Sequence, residues 1–366
     1  MEEWLPRRRR SRRDVLRTTG AVAVAALAGC LGGSRVLDSG TDDEDRPTAG
    51  PPTVDRSLPE EYTTEELDDA SLSGGPGPDG IPSIDEPQFT AADDPPTTLE
   101  DGDPVFGVEL NGDPKAYPQY VLVWHEVVND VVGGDAVAVT YCPLTGTAQG
   151  FYRGESEFGV SGRLINSNLV MFDRGTETWW PQMLARGIRG PHEGEYLEEF
   201  QVTWTTWGRW REQYPETVVL TEDTGHVRNY GDDPYGQYNP RSGYYEDENT
   251  LFRPLATDDR FPAKAVVVGA RNDDGAMAVP KATLRERVVV EGSVTDVPYV
   301  TVYDEVLDTG YVYRNADELA VEYDGGALTV DGEEYDADGL PLERELGFDA
   351  MWFAWYGYYP STEVHE

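Results

Sequence analysis

Cys142 stands at the end of the apolar run "AVAVTYC", just before the turn-forming "PLTG". A thiol at a strand end lies beside the backbone N–H groups of the turn, which lower its pKa or bind an oxyanion next to it. The bland alternative is a buried structural thiol that packs as a small apolar group. His125 and Glu126 precede it in "VWHEVVND". A neutral imidazole beside a thiol takes its proton, and the resulting ion pair is the usual route to a nucleophilic cysteine. The candidate catalytic group is therefore Cys142 as nucleophile or redox thiol, His125 as its base, and Glu126 facing substrate. Acyl transfer and thiol redox chemistry are both open. Exchange with a disulfide needs a resolving cysteine, and the only other cysteine is Cys30 near the N-terminus.

A thiolate, an imidazole and a carboxylate are also donors for copper or zinc, which makes Cys142, His125 and Glu126 an alternative soft-metal set. No CxxC and no histidine cluster supports it. "HEVVN" misses the zinc-protease pattern His-Glu-x-x-His, because Asn129 stands at the second histidine. No cofactor is indicated. A further polar and aromatic group lies in "SGRLINSNLVMFDRGTETWWPQ". Asp173 and Arg174 follow an apolar run, and Trp180 is close behind. Such residues wall a site for a polar ligand, or else make a twisted hairpin with aromatic packing. Tyr117 and Thr145 complete the candidate substrate-binding set. His192 sits among Gly190, Gly194 and Glu195, as in an exposed turn.

These side chains need elements to hold them. Most of the chain from residue 104 onward reads as short apolar strands between turns: "VFGVEL", "NGD", "PKAYP", then "DAVAVTYC", "EFGVSGRL" and "NLVMFD". The exception is "YPQYVLVWHEVVND". Its apolar positions fit a helix of about three turns, with His125 pointing inward and Glu126 roughly 100° away. The fold class is thus α+β and strand-rich.

Residues 105–141 align without a gap to 267–303, with nine of 37 positions identical, among them Gly107/Gly269, Pro118/Pro280 and Tyr141/Tyr303. The shared residues set turns and cores, so two β-rich units with a short helix each are expected. The first spans 80–260 and the second 261–366. His125, Glu126 and Cys142 face Arg287, Val288 and Asp304. The candidate site belongs to the first unit alone, and the second reads as a degenerate scaffold.

The chain begins with a basic run, the pair Arg12-Arg13 and the apolar "AVAVAALAG", ending in "LAGC". This is the layout of a twin-arginine export signal over 1–29 with a lipobox. It implies a mature chain starting at Cys30, lipidated there and anchored to the extracytoplasmic face of the membrane. Residues 30–79 are acidic and rich in Pro, Gly, Ser and Thr, as in a disordered tether. The formal net charge is −40, with acids spread along the chain. Such a surface repels nucleic acid and anionic lipid, so neither is an expected partner. The same excess resembles that of proteins from extreme halophiles.

The blocks "HEVVND", "VTYCPLTGTA", "SNLVMFDR-TET-W-Q" and "MWFAWYGYYPST" resemble the family catalogued as domain of unknown function 3179, over about residues 80–361. Many of its members look exported or membrane-anchored. The resemblance implies a shared pattern that includes His125, Glu126, Cys142, Asp173 and Trp180. It implies no reaction. A cysteine-dependent enzyme, a metal-binding protein and a non-enzymatic ligand-binding lipoprotein all remain open.

Overall fold

Two hairpins and a bend set the position of the candidate residues in the computed structural model, which describes residues 49–366. Strand Pro104–Leu110 pairs antiparallel with Asp113–Pro118. Asn111 and Gly112 both adopt positive φ at the turn between them, the geometry that matches the right-handed twist of a two-residue hairpin. Helix Gln119–Leu122 follows, then strand Val127–Val132 and, after the Gly133–Gly134 turn, strand Asp135–Cys142. Cys142 faces Thr147 across the next turn, where strand Thr147–Tyr152 begins.

These strands fall into two sheets. The first has the order Thr203–Thr206, Pro104–Leu110, Asp113–Pro118, Val218–Leu220, Phe89–Ala91; the second has Glu199–Phe200, Thr147–Tyr152, Asp135–Cys142, Val127–Val132. A third sheet is built on Phe158–Ile165 and Asn168–Asp173, joined at Asn166 and Ser167, both at positive φ. Strands dominate and helices are few, so the fold is α+β.

The expected helix of about three turns is the main departure. Only Gln119–Leu122 is helical, and "VVNDVV" is a strand. Four β-branched valines in six residues favour a pleated surface. Valines in adjacent pairs, as here, do not separate the two periods. The chain reverses at Glu126, whose φ is 60°. His125 and Glu126 are therefore turn residues, and the helical angle between them does not apply.

The same succession of elements occurs again. Strands Val266–Asn272, Gly275–Pro280, Val289–Val294, Val297–Asp304 and Thr309–Arg314 each begin and end 162 residues after their counterparts in the first set. Val288 repeats the positive φ of Glu126. Tyr303 N donates to Val288 O as Tyr141 N donates to Glu126 O. Each first sheet also carries a tryptophan clamp. A Cβ on Gly107 would lie 2.2 Å from the Trp210 ring, and one on Gly269 would lie 2.3 Å from Trp355. Only glycine admits the ring at either place. Trp210 Nε1 donates to Thr217 Oγ1 and Trp355 Nε1 to Thr362 Oγ1.

The two sets share one core. Ile165, Val170 and Met183 pack with Trp352, Trp355 and Tyr358, and the described residues belong to one compact unit. The boundary expected at 260/261 divides element sets rather than separable bodies. The tether expected over 30–79 is, from residue 49, part of the fold. Thr53–Val54 pairs with Tyr196–Leu197. Helix Thr64–Asp69 is closed by a capping box between Thr63 and Glu66 and buries Leu67. The export signal, lipobox and Cys30 lie outside the described residues. Among the described residues no helix is long and apolar enough to cross a membrane.

Candidate functional site

Cys142 and Glu126 form the buried pair. Strand pairing holds Cys142 at the end of its sheet, and the thiol is 2% exposed. Sγ lies 3.6 Å from Ser167 O, a weak donor contact. Burial pushes its pKa up to about 11, and the Glu126 charge pushes the same way. The Thr145 side chain and the backbone N–H groups of Leu169 and Thr145 oppose this, because they donate toward the thiolate.

Glu126 is set by its bend. Its N–H donates to Leu122 O at 2.7 Å, and its carbonyl accepts from Tyr141 N at 2.8 Å. The side chain is 7% exposed, and its carboxyl has no hydrogen-bond partner among the described residues. Desolvation alone raises its pKa to about 8. A positive φ at a non-glycine residue is strained. Val288 shares the positive φ, so the bend belongs to the architecture; the buried carboxyl occurs at one of the two bends only.

His125 is fully buried and turned to other partners. Nδ1–H donates to Pro82 O at 2.7 Å, and Nε2 accepts from the Tyr230 hydroxyl at 2.7 Å. Thr224 Oγ1 lies 2.6 Å from that hydroxyl. Desolvation lowers the imidazole pKa to about 4; the Pro82 bond opposes this, and His226 and Arg228 add to it. Both ring nitrogens are occupied, so the expected Cys142–His125 pair is not made. The backbone of Glu126 is bonded to Tyr141, the neighbour of Cys142, and the Glu126 charge acts on the thiol. The soft-metal set is not assembled either: among the described residues no three His, Cys, Asp or Glu side chains gather as metal donors.

The expected substrate-binding residues separate. Thr145 is buried beside Cys142 and accepts from Asn168 Nδ2. Asp173 is buried and accepts from Thr176 N, Thr178 N, Trp180 Nε1 and the Thr176 hydroxyl, so its oxygens close a hairpin. Trp180 is fully buried against it. Arg174 bridges Asp79, Asp85 and Glu157 at the surface. Tyr117 donates to Asp130, which also pairs with Lys115. These four hold the fold, and of them Trp180 shares a hydrophobic cluster with Cys142.

Residues that sequence reasoning passed over cover the pair. Tyr235, Tyr244 and Phe252 pack against the cluster holding Cys142 and Leu144. Burial raises the Tyr235 pKa, and the charges of Glu126 and Cys142 add to the rise. The available signal was five tyrosines within residues 230–245. An open depression of about 620 Å³, lined by Asp93, Asp101, Arg209 and Arg211 among others, includes none of these residues.

The fold is that of a strand-rich α+β protein, with a buried cysteine against which Tyr235 and Tyr244 pack. The family model described as "Protein of unknown function (DUF3179)" matches residues 78–362, and the chain belongs to that family. Comparison with curated proteins gives no match, and neither does comparison with solved structures.

Proposed function

We propose that this chain is a lipid-anchored extracytoplasmic enzyme in which Cys142 is the nucleophile and Glu126 its proton acceptor. The observation that carries this is that Glu126, a buried residue whose carboxyl has no hydrogen-bond partner among the described residues, is the charge that acts on the buried Cys142 thiol. A carboxylate with a pKa of about 8 is matched to proton transfer near neutral pH. In acyl transfer, Sγ would bond the acyl carbon as its proton passes to Glu126. Glu126 would return that proton to the leaving group. The Thr145 and Leu169 N–H groups stabilise the thiolate on the way. The anchor follows from the lipobox at Cys30 and the twin-arginine signal. The repeated element order supports two copies of one unit, of which the first kept the chemistry.

The burial of Cys142 and its raised pKa favour a second reading: an inert thiol in a non-enzymatic ligand-binding lipoprotein. Intact mass of the full chain after exposure to a small acyl thioester separates the two. An adduct on Cys142 that turns over in the native chain and persists in Glu126→Gln supports the enzyme. A thiol that takes iodoacetamide under native conditions yet forms no acyl adduct overturns acyl transfer. A thiol that takes neither until unfolding leaves the binding reading.

A further inference from the structure

We propose that residues 221–265 form a lid over Cys142 and Glu126, latched at His125 and Gln119, that opens while the sheets stay folded. Between strands Val218–Leu220 and Val266–Asn272 this 45-residue stretch holds only the single turn Gly243–Tyr245. A loop of that length without strands or α-helix in a compact protein is most often a working element.

Its polar contacts fall where a lid needs them. Gln119 Nε2 donates to Asp233 at 2.9 Å, and Tyr245 donates to the same carboxylate at 3.0 Å. Trp124 Nε1 donates to Asp232 O, and the Tyr230 hydroxyl holds His125 Nε2. Tyr244 donates to Leu144 O. Ser167 donates to Phe252 O, and Leu255 N to Asn166 Oδ1. These partners lie in three short segments: 119–125, just before Glu126; 144, just after Cys142; and 166–167, whose Ser167 carbonyl meets Sγ. At the loop's two ends Thr221 N donates to Gln88 O, and Trp352 N and Phe353 N donate to Ala265 O and Ala263 O. The loop is thus bonded to the rim of the pair, with Tyr235 and Tyr244 above the thiol.

The loop is docked by its aromatic side chains, with Tyr230 and Tyr245 buried in the core clusters, while Val227 and Leu251 expose their side chains to solvent. Its backbone has no ladder pairing to the sheets it covers, so opening breaks side-chain contacts and single hydrogen bonds and leaves the strands paired. Asn239 to Gly102 O and the Tyr238 ring against Trp204 hold the middle of the loop and act as its fixed point. A closed lid excludes water from the thiol and carboxyl, and an open one admits substrate.

The lid takes its purpose from the pair proposed above, but its test reads access to Cys142 rather than turnover. On the full chain, the rate of iodoacetamide modification of Cys142 is measured under native conditions for Tyr230→Phe, Asp233→Ala and both together. The denaturant midpoint is measured alongside. Each variant removes latch hydrogen bonds and is expected to raise the rate about fivefold, more so together, beyond any change set by global stability. An unchanged rate in all three, or a rate that rises only as global stability falls, would overturn the lid. Should Glu126→Gln leave the pH profile of the thiol unchanged, the pair fails and the lid stands; should the latch variants fail, the pair is untouched.

Discussion

Burial raises the pKa of both Glu126 and Cys142 in the closed protein, and the Glu126 charge adds to the rise at Cys142. Proton transfer within the pair needs the thiol to approach an electrophile, which ties reactivity to substrate entry. Asp173 behaves otherwise. Asp173→Ala would leave Trp180 Nε1 and Thr178 N without their acceptor in a buried place. A loss of about 3 kcal/mol in denaturant stability is expected, with no selective loss of Cys142 reactivity. His125 stays neutral. Its pKa is about 4 when folded, against about 6.5 unfolded. Below pH 6.5 the unfolded chain takes the proton first, so this contribution to stability is lost as pH falls toward 4. The groups facing the ring are Tyr230, Thr224, His226 and Arg228. His125→Gln should flatten that part of the pH–stability curve. The residue types at the site were legible: Cys142 and Glu126 stand out because their counterparts are Asp304 and Val288. The partner of the thiol was not legible. It depends on which way a four-residue turn directs two adjacent side chains, and no periodicity encodes that.

At the scale of elements, glycine and tryptophan define each first sheet. Gly107→Ala and Gly269→Ala should each cost about 1–3 kcal/mol, because a Cβ at either position drives into an indole ring held by a threonine. Similar losses at the two places would show that the clamps are equivalent. Hairpins at Asn111–Gly112 and Gly133–Gly134 were readable from turn chemistry. The strand Val127–Val132 was not, since paired valines satisfy a helical and a strand period alike. The second clamp also escaped the sequence comparison. Trp210 and Trp355 are 145 residues apart while the strands are 162 apart, because the connections between strand and clamp differ in length. A gap-free alignment ends before reaching them.

Across the whole molecule, the two sets of strands are joined by a buried charge. Arg271, from the second set, pairs with Glu199 at 2.9 Å and donates to Met183 O, and Glu199 also meets Arg56 from the N-terminal strap. Arg271→Met removes one partner of a fully buried carboxylate. A cost of about 3–5 kcal/mol is expected, read as a lower midpoint of one shared unfolding transition. The strap at 49–79 was hidden by its acidic composition, which describes its solvent face; the few residues that dock, Leu58 and Leu67 among them, are too sparse to signal order. The central claim is that Glu126, and not His125, is coupled to the thiol. The direct measurement is the rate of Cys142 alkylation against pH for the full chain, Glu126→Gln and His125→Ala. The account expects a midpoint near pH 11 in the native chain. Glu126→Gln should lower it by removing a negative neighbour, and His125→Ala should leave it in place even where the latch loosens. A midpoint that moves with His125 and ignores Glu126 would contradict the account.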